Sequence, residues 1–323
     1  MARTRLYRDG ALIAEDFPVA DISEYLKDPH SLVWLDLCVG DGDDLHAIVE
    51  EFSLHSLAVE DAVMEHQRPK LDRYEHHMFL AAYSTKVDAV TGTLTTAEVS
   101  AFITKQALIT VRRDGDFDID AVVHRWDASP DLAASGVAYL LHGLLDHVVD
   151  SHFDAVHTLD DAMEGLEDLL FDDRPHDQQV QRRSFELRKS LVLLRRVVLP
   201  MREVVNTLLR RDLHVIDETM APYFQDVYDH VLRATEWTES LRDLVTTILE
   251  TNLTIQGNRI NVIMRKVTSW AAVIAVPTAV TGFYGQNIPF PGYGQWSGFI
   301  ISTAVIALLS VGLYLAFRRR GWI

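Results

Sequence analysis

The chain has 323 residues, 48% hydrophobic and 24% charged, averages that an ordinary soluble protein would also show. Its balance is acidic, with 47 Asp and Glu against 30 Lys and Arg, which argues against nucleic acid as a partner because neutralising phosphates needs clustered basic side chains. One cysteine, Cys38, leaves no room for a disulfide framework or a Cys-based zinc centre, and its apolar surroundings at 33–39 predict a buried thiol.

The first ten residues carry basic side chains but no apolar run behind them, so they do not read as a secretory signal. Residues 1–135 mix strand and helix patterns. Segments 31–39, 78–84, 99–104 and 106–112 are rich in β-branched, aromatic or alternating apolar residues, and 41–52 and 56–64 have helical patterning. This is an α/β unit. From 136 to 170 the apolar residues Tyr139, Leu140, Leu144, Val148, Val156, Leu159, Met163 and Leu166 step mostly by three and four, which predicts a long helix. A second follows over 178–211 through Leu187, Leu191, Leu194, Val198, Met201 and Leu208, with a break possible at Pro200. The first is acidic (Asp160, Asp161, Glu164, Glu167, Asp168, Asp172, Asp173) and the second basic (Arg182, Arg183, Arg188, Lys189, Arg195, Arg196, Arg210, Arg211). Together, 136–221 predicts an antiparallel helical hairpin with complementary faces, and the acidic member could also concentrate cations near a pore mouth.

After Pro222 a third helical pattern begins at Tyr223 and meets no breaker until Gly257. Continued through that glycine, it runs over 222–284, on the order of 90 Å at about 1.5 Å per residue. Its last third enters a segment, 267–317, without a single Asp, Glu, Lys, Arg or His. Two apolar stretches fill that segment, 267–284 and 297–317, each near the ~20 residues that cross a bilayer core. The connection 285–296 is rich in Gly, Pro and aromatic residues, as expected at a membrane interface. Arg259, Arg265 and Lys266 precede the first span, and Arg318, Arg319 and Arg320 follow the second in the tail 318–323. Basic flanks favour the cytoplasm, so both termini and the acidic body are expected there, with the loop outside. Pro277 inside the first span reads either as a simple kink or as a pore-lining distortion.

Tyr284-Gly285-Gln286-Asn287 after an apolar span, a second span and a basic tail together resemble the CorA family of divalent-cation channels, whose first span ends in Tyr-Gly-Met-Asn. Glu60-Asp61, then His66-Gln67-Arg68-Pro69-Lys70 and Tyr74-Glu75, resemble the family's cytoplasmic signature, and the stretch 222–230 resembles the start of its long pore helix. The three matches occur in order along nearly the whole chain. The resemblance implies a homopentamer in lipid, with an α/β/α funnel domain in the cytoplasm, a long helix and a C-terminal two-helix transmembrane hairpin. It implies a pore lined by the first span and transport of Mg²⁺, with Co²⁺ and Ni²⁺ accepted by many members, and no organic cofactor. A ZntB-like zinc-transporting branch shares the architecture and is the alternative. Gln286 stands where the main pattern has Met, and the loop 285–296 lacks the acidic residues of many relatives, which bears on selectivity and outer-mouth capture.

Mg²⁺ prefers octahedral oxygen coordination and sheds water reluctantly, so a filter for it should offer neutral oxygens to its hydration shell. Gly285 carbonyls and Asn287 amides, repeated around a ring, would do so without fixed charge, although alone both residues read as turn formers. Lower down, Glu250, Thr254, Asn261, Thr268 and Thr278 recur at roughly helical spacing, and the matching family positions line the pore; a polar face against neighbouring helices is the plainer reading. The family's intersubunit regulatory metal site maps onto Asp88 and Asp226. Taken singly, Asp88 reads as a solvated loop carboxylate and Asp226 as an acid in the first turn of a helix. Of the fourteen histidines, His142, His147, His152 and His157 fall five apart, do not share a helix face and read as structural or surface residues, as do His76 and His77. Two other classes stay open: a metal-assisted hydrolase using Glu60, Asp61 and His66, for which no nucleophile or phosphate-loop motif exists, and a membrane-anchored metal sensor that conducts nothing.

Overall fold

The computed structural model describes all residues except 1, 40–41, 65–67, 114, 173–176, 211–214, 287–288 and 290–291, and backbone only at 42–44. The chain divides into two compact units, Met1–Ile248 and Leu249–Ile323.

The first unit is built on a seven-stranded sheet: β1 (Arg3–Arg8), β2 (Ala11–Glu15), β3 (Ser31–Cys38), β4 (Lys70–Arg73), β5 (Met78–Val87), β6 (Leu94–Ile103) and β7 (Ala107–Arg112). Their order is β2-β1-β3-β7-β6-β5-β4, with β3 and β7 parallel and the other neighbours antiparallel. The central strands are apolar on both sides because both faces of the sheet are covered. Leu32, Trp34, Leu80, Ala82, Val99, Ala101 and Leu108 enter one core. Their alternates Val33, Leu35, Phe79, Ala81, Phe102, Ile109 and Val111 enter the other. Short helices α1 (Ile22–Tyr25), α2 (Gly42–Glu51) and α3 (Ser56–Val63) cover the second core, supplying Ile22, Ile48, Ala58 and Ala62. Helix α4 (Ile119–Ala128) and the first half of α5 (Val137–Phe171) cover the other. There Trp126 packs edge-on to Trp34 at 4.9 Å and donates to the Leu140 carbonyl at 3.1 Å.

The second half of α5 and helix α6 (Asp177–Leu208) form the expected hairpin, and α6 runs unbroken through Pro200. Apolar contact joins them: Val156, Leu159, Met163 and Leu166 meet Leu187, Leu191, Leu194 and Val198, and Ala234, Leu241, Val245 and Ile248 of α7 (Ala221–Tyr284) complete the cluster. Complementary charge is not what faces inward. Asp161, Glu164 and Asp168 of α5 and Arg188, Lys189 and Arg196 of α6 are exposed, and Arg195 pairs with Glu239 of α7 at 3.5 Å. The predicted strands and helices of 31–112 are present, while β1, β2, β4 and α4 were not anticipated. Cys38, expected to be buried, is half-buried at the end of β3.

The second unit holds the rest of α7 and helix α8 (Trp296–Arg319). Both helices are long and apolar enough to cross a membrane. Helix α7 passes through Gly257 and Pro277 without interruption. Within the unit, Trp270 of α7 meets Tyr314 of α8 at 6.2 Å. At the start of α8, Gly298 lies against Gly292, whose φ of +91° belongs to the left-handed region. The chain closes α8 with Gly321 at φ +68° and Trp322 stacked on Phe317.

Candidate ion pathway and regulatory carboxylates

Large apolar side chains of the second unit point outward: Ile274 is 63%, Ile300 61% and Leu308 74% exposed. Such a surface needs lipid or other copies of the chain to cover it. Interspersed on α7 is a polar series. Glu250, Thr254, Asn261, Thr268 and Thr278 are all exposed. Glu250 and Asn261, eleven apart, share a face. The hydroxyls of Thr254 and Thr278 donate to the carbonyls of Glu250 (2.9 Å) and Ile274 (3.1 Å), four residues back, and keep their lone pairs available.

At the end of α7 the Gly285 amide donates to the Thr281 carbonyl at 2.8 Å, and the Gln286 amide to Phe283 at 3.3 Å. Gly285 and Gln286 are exposed. Asn287 lies outside the described residues. Thr281, passed over in the sequence, donates to the Pro277 carbonyl at 2.8 Å and stands one turn below Gly285; its i+3 step from Thr278 was the available signal. Among the described residues of this unit, the polar side chains Asn252 and Ser269 are buried rather than exposed. Arg318 and Arg319 occupy the last turn of α8 and Arg320 caps it, all three exposed, where cations favour a helix C-terminus.

The two proposed regulatory acids lie in the first unit, and no hydrogen bond or ion pair joins them within one chain. Asp88 heads the turn between β5 and β6. Its Oδ1 accepts from the amides of Val90 (2.8 Å) and Thr91 (2.9 Å), an Asx turn. These amides, Thr91's first, hold the carboxyl below its ordinary range, so it is ionised near neutrality. The Thr91 side chain adds a further hydrogen bond to the carboxylate, which is exposed to solvent. Asp226 is exposed on α7, with His230 Nε2 4.0 Å from its Oδ2. The expectation that Asp226 sits in a first helical turn is corrected: α7 starts at Ala221, which puts Asp226 in the second turn, where the macrodipole has fallen off. His142 of α5 is the other nearby imidazole. Burial pushes it below the usual histidine range, against the pull of Asp146 and Asp226.

The remaining histidines of α5 are structural, as expected. His147 meets Phe117, His157 meets Trp237, and the fully buried His152 contacts the Tyr83 carbonyl through Nε2 at 2.7 Å. His76 is exposed and His77 buried against Tyr74 and Phe102. Of the hydrolase candidates, Asp61 is committed to Lys70 at 2.6 Å, which also binds Asp72 at 3.0 Å, and His66 lies outside the described residues. Among the described residues no three His, Cys, Asp or Glu side chains come together as a metal site within the chain.

A family model described as "CorA-like Mg2+ transporter protein" matches residues 29–319. The cobalt/magnesium transport protein CorA of Thermotoga maritima is 28% identical over 95% of this chain and 89% of its own. The putative metal ion transporter YfjQ of Bacillus subtilis is 31% identical over 90% of this chain and 89% of its own. Among solved structures, the complete CorA magnesium transporter from Methanocaldococcus jannaschii superposes with a TM-score of 0.81, covering 100% of this chain and 99% of that one at 20% identity. That likeness establishes the fold: an α/β domain, a long helix and a C-terminal apolar helix pair.

Proposed function

This chain belongs to the CorA-like Mg²⁺ transporter protein family, and from that premise we propose that it mediates uptake of divalent cations, chiefly Mg²⁺ with Co²⁺ and Ni²⁺, across the cell membrane. The observation that carries the reading is the pairing of a family match spanning both units with two apolar helices whose side chains are exposed. Five copies would surround a pore lined by α7, with both termini in the cytoplasm. Gly285, Gln286 and Asn287 would form the selectivity filter, hydrogen-bonding the hydrated ion without a fixed charge that would trap it. Below them, Thr278, Thr268, Asn261, Thr254 and Glu250 would offer successive oxygens, and Arg318, Arg319 and Arg320 would form a basic ring at the inner interface.

Asp88 of one copy and Asp226 of the next would share a regulatory Mg²⁺. Their chemistry suits it: both are exposed carboxylates, Asp88 is ionised, and Mg²⁺ is ordinarily held by one or two carboxylates and several waters. Without the cation the two negative charges repel across the interface. Cytoplasmic Mg²⁺ therefore favours the closed assembly, and its loss shifts the population toward the open one. The zinc-transporting alternative has less support, since the relatives matching over most of the chain include one named for cobalt and magnesium.

The test is ion flux into liposomes containing the purified protein, loaded with a Mg²⁺ indicator and challenged with Co²⁺, Ni²⁺ or Zn²⁺ as competitors. Mg²⁺ influx inhibited by Co²⁺ and Ni²⁺ is expected. Assembled protein that passes no divalent ion would instead make it a membrane-anchored sensor. In the same assay D88A/D226A should conduct at internal Mg²⁺ that silences the wild type; full inhibition retained would refute the gate.

A further inference from the structure

We propose that Ser190 of α6 is a positioning residue for the metal-sensing carboxylate of Asp88, fixing the β5–β6 turn to the α5–α6 hairpin. The inference rests on the reading that Asp88 takes part in the regulatory Mg²⁺ site.

The turn is stiff in itself. Besides the two amides held by Oδ1, the Asp88 amide donates to the Thr93 carbonyl at 3.0 Å and the Gly92 amide to the Asp88 carbonyl at 2.8 Å. The carboxylate is therefore locked to the turn backbone, and it points wherever the turn as a whole points. What orients the turn comes from a different element. The Ser190 hydroxyl is buried, donates to the Gly92 carbonyl at 2.7 Å and accepts from the Leu94 amide at 3.1 Å. One side chain thus satisfies a donor and an acceptor on either side of Thr93, at the return of the hairpin.

Packing reinforces the clamp. Gly92 has φ +68°, and a Cβ there would lie 2.9 Å from Leu187 Cδ2. Only glycine supplies both the left-handed backbone and the close approach to α6. Leu94 continues into the apolar cluster of Leu187, Leu191 and Leu194. The exposed acid is thereby carried on a tip whose base is sewn into the helical layer. Removing the hydroxyl leaves the Gly92 carbonyl and the Leu94 amide unpaired in a dry place. The turn is then free to tilt off α6, and the carboxylate loses its fixed direction while the Asp88 chemistry is unchanged. Losing the groups that orient a metal ligand weakens metal affinity roughly 10–100-fold.

The experiment measures Mg²⁺ influx into proteoliposomes as a function of internal Mg²⁺, and reads the midpoint of inhibition for the wild type, S190A, D88A and S190A/D88A. Assembly is checked by elution volume and melting temperature. S190A should raise the midpoint roughly tenfold, and the double variant should match D88A, because a positioning residue has nothing left to position. An unchanged midpoint in S190A, or a further shift added on the D88A background, overturns the proposal. If D88A itself leaves the midpoint in place, the regulatory reading fails and this inference falls with it, an outcome distinct from the first two. Should S190A fail to assemble, G92A keeps the hydroxyl but pushes the turn off Leu187, and must raise the midpoint in the same way; G92A with a wild-type midpoint also overturns the proposal.

Discussion

Arg112→Met is expected to be among the most destabilising single changes in the α/β unit. The Asp36 side chain on β3 is 2% exposed and that of Arg112 on β7 is 11% exposed. The guanidinium grips the carboxylate through Nη2 to Oδ2 at 2.6 Å and Nε to Oδ1 at 3.0 Å, while Nη1 reaches the Phe117 carbonyl at 3.3 Å. Thr110 donates its hydroxyl to Asp36 Oδ1 at 2.8 Å and accepts from the Trp34 indole at 3.2 Å. Methionine fills similar space and removes every charge-assisted bond, leaving a buried carboxylate with one hydroxyl for company. Breaking such a pair from one side costs about 3–5 kcal/mol. For a unit of 248 residues, that corresponds to a melting temperature lower by about 6–20 °C. R112M/D36V should recover most of the loss, because two apolar side chains leave no charge to bury and Thr110 keeps the Leu35 carbonyl at 3.3 Å as acceptor. Near-UV circular dichroism during heating of the solubilised chain follows Trp34 and Trp126 beside the pair. A drop of less than 2 °C for R112M, or a double variant no more stable than the single, would refute the reasoning.

Two further outcomes follow from buried groups. Burial pushes His152 down to about 4 from an ordinary 6.5. The folded chain therefore keeps the ring neutral where the unfolded chain takes a proton, and stability is complete above pH 6.5 and is lost as pH falls toward 4. Between pH 6.5 and 5 the wild type should lose about 2 kcal/mol more than H152F, measured by urea unfolding at each pH; parallel profiles would contradict this. In α8, a Cβ at Gly298 would strike the Gly292 carbonyl, whereas one at Gly312 meets nothing within 4 Å. G298A should cost about 1–3 kcal/mol and G312A less than about 0.5 kcal/mol, read as melting temperatures in detergent; equal effects would mean that Gly298 does not hold the loop against the helix.

Periodicity pointed to the α5–α6 pair and the start of α7, and the absence of charge to the two apolar spans; that α7 continues through Gly257 and Pro277 was left to the structure. These are local patterns: the apolar step of a helix and the absence of charge over 267–317 can be read residue by residue. The central strands were legible for the same reason, since the stretches 31–37, 78–83, 99–103 and 107–111 are buried on both faces and mostly apolar. Strand β1 was not, because Arg5 looks like a surface residue until Asp127, Glu15 and Tyr7 close around it from elsewhere in the chain. Strand β4, with Lys70, Asp72 and Arg73, is a charged edge recognised only by its pairing with β5. The polar series on α7 could be picked out by spacing and resemblance, but the orientation of Asp88 could not. It depends on amides two and three residues ahead and on a serine about a hundred positions away, and contacts between distant segments leave no period in a sequence. Tertiary structure decided which groups hold the Asp88 carboxylate and its turn in place, because burial and hydrogen-bond partnership are properties of assembled surfaces rather than of chain composition.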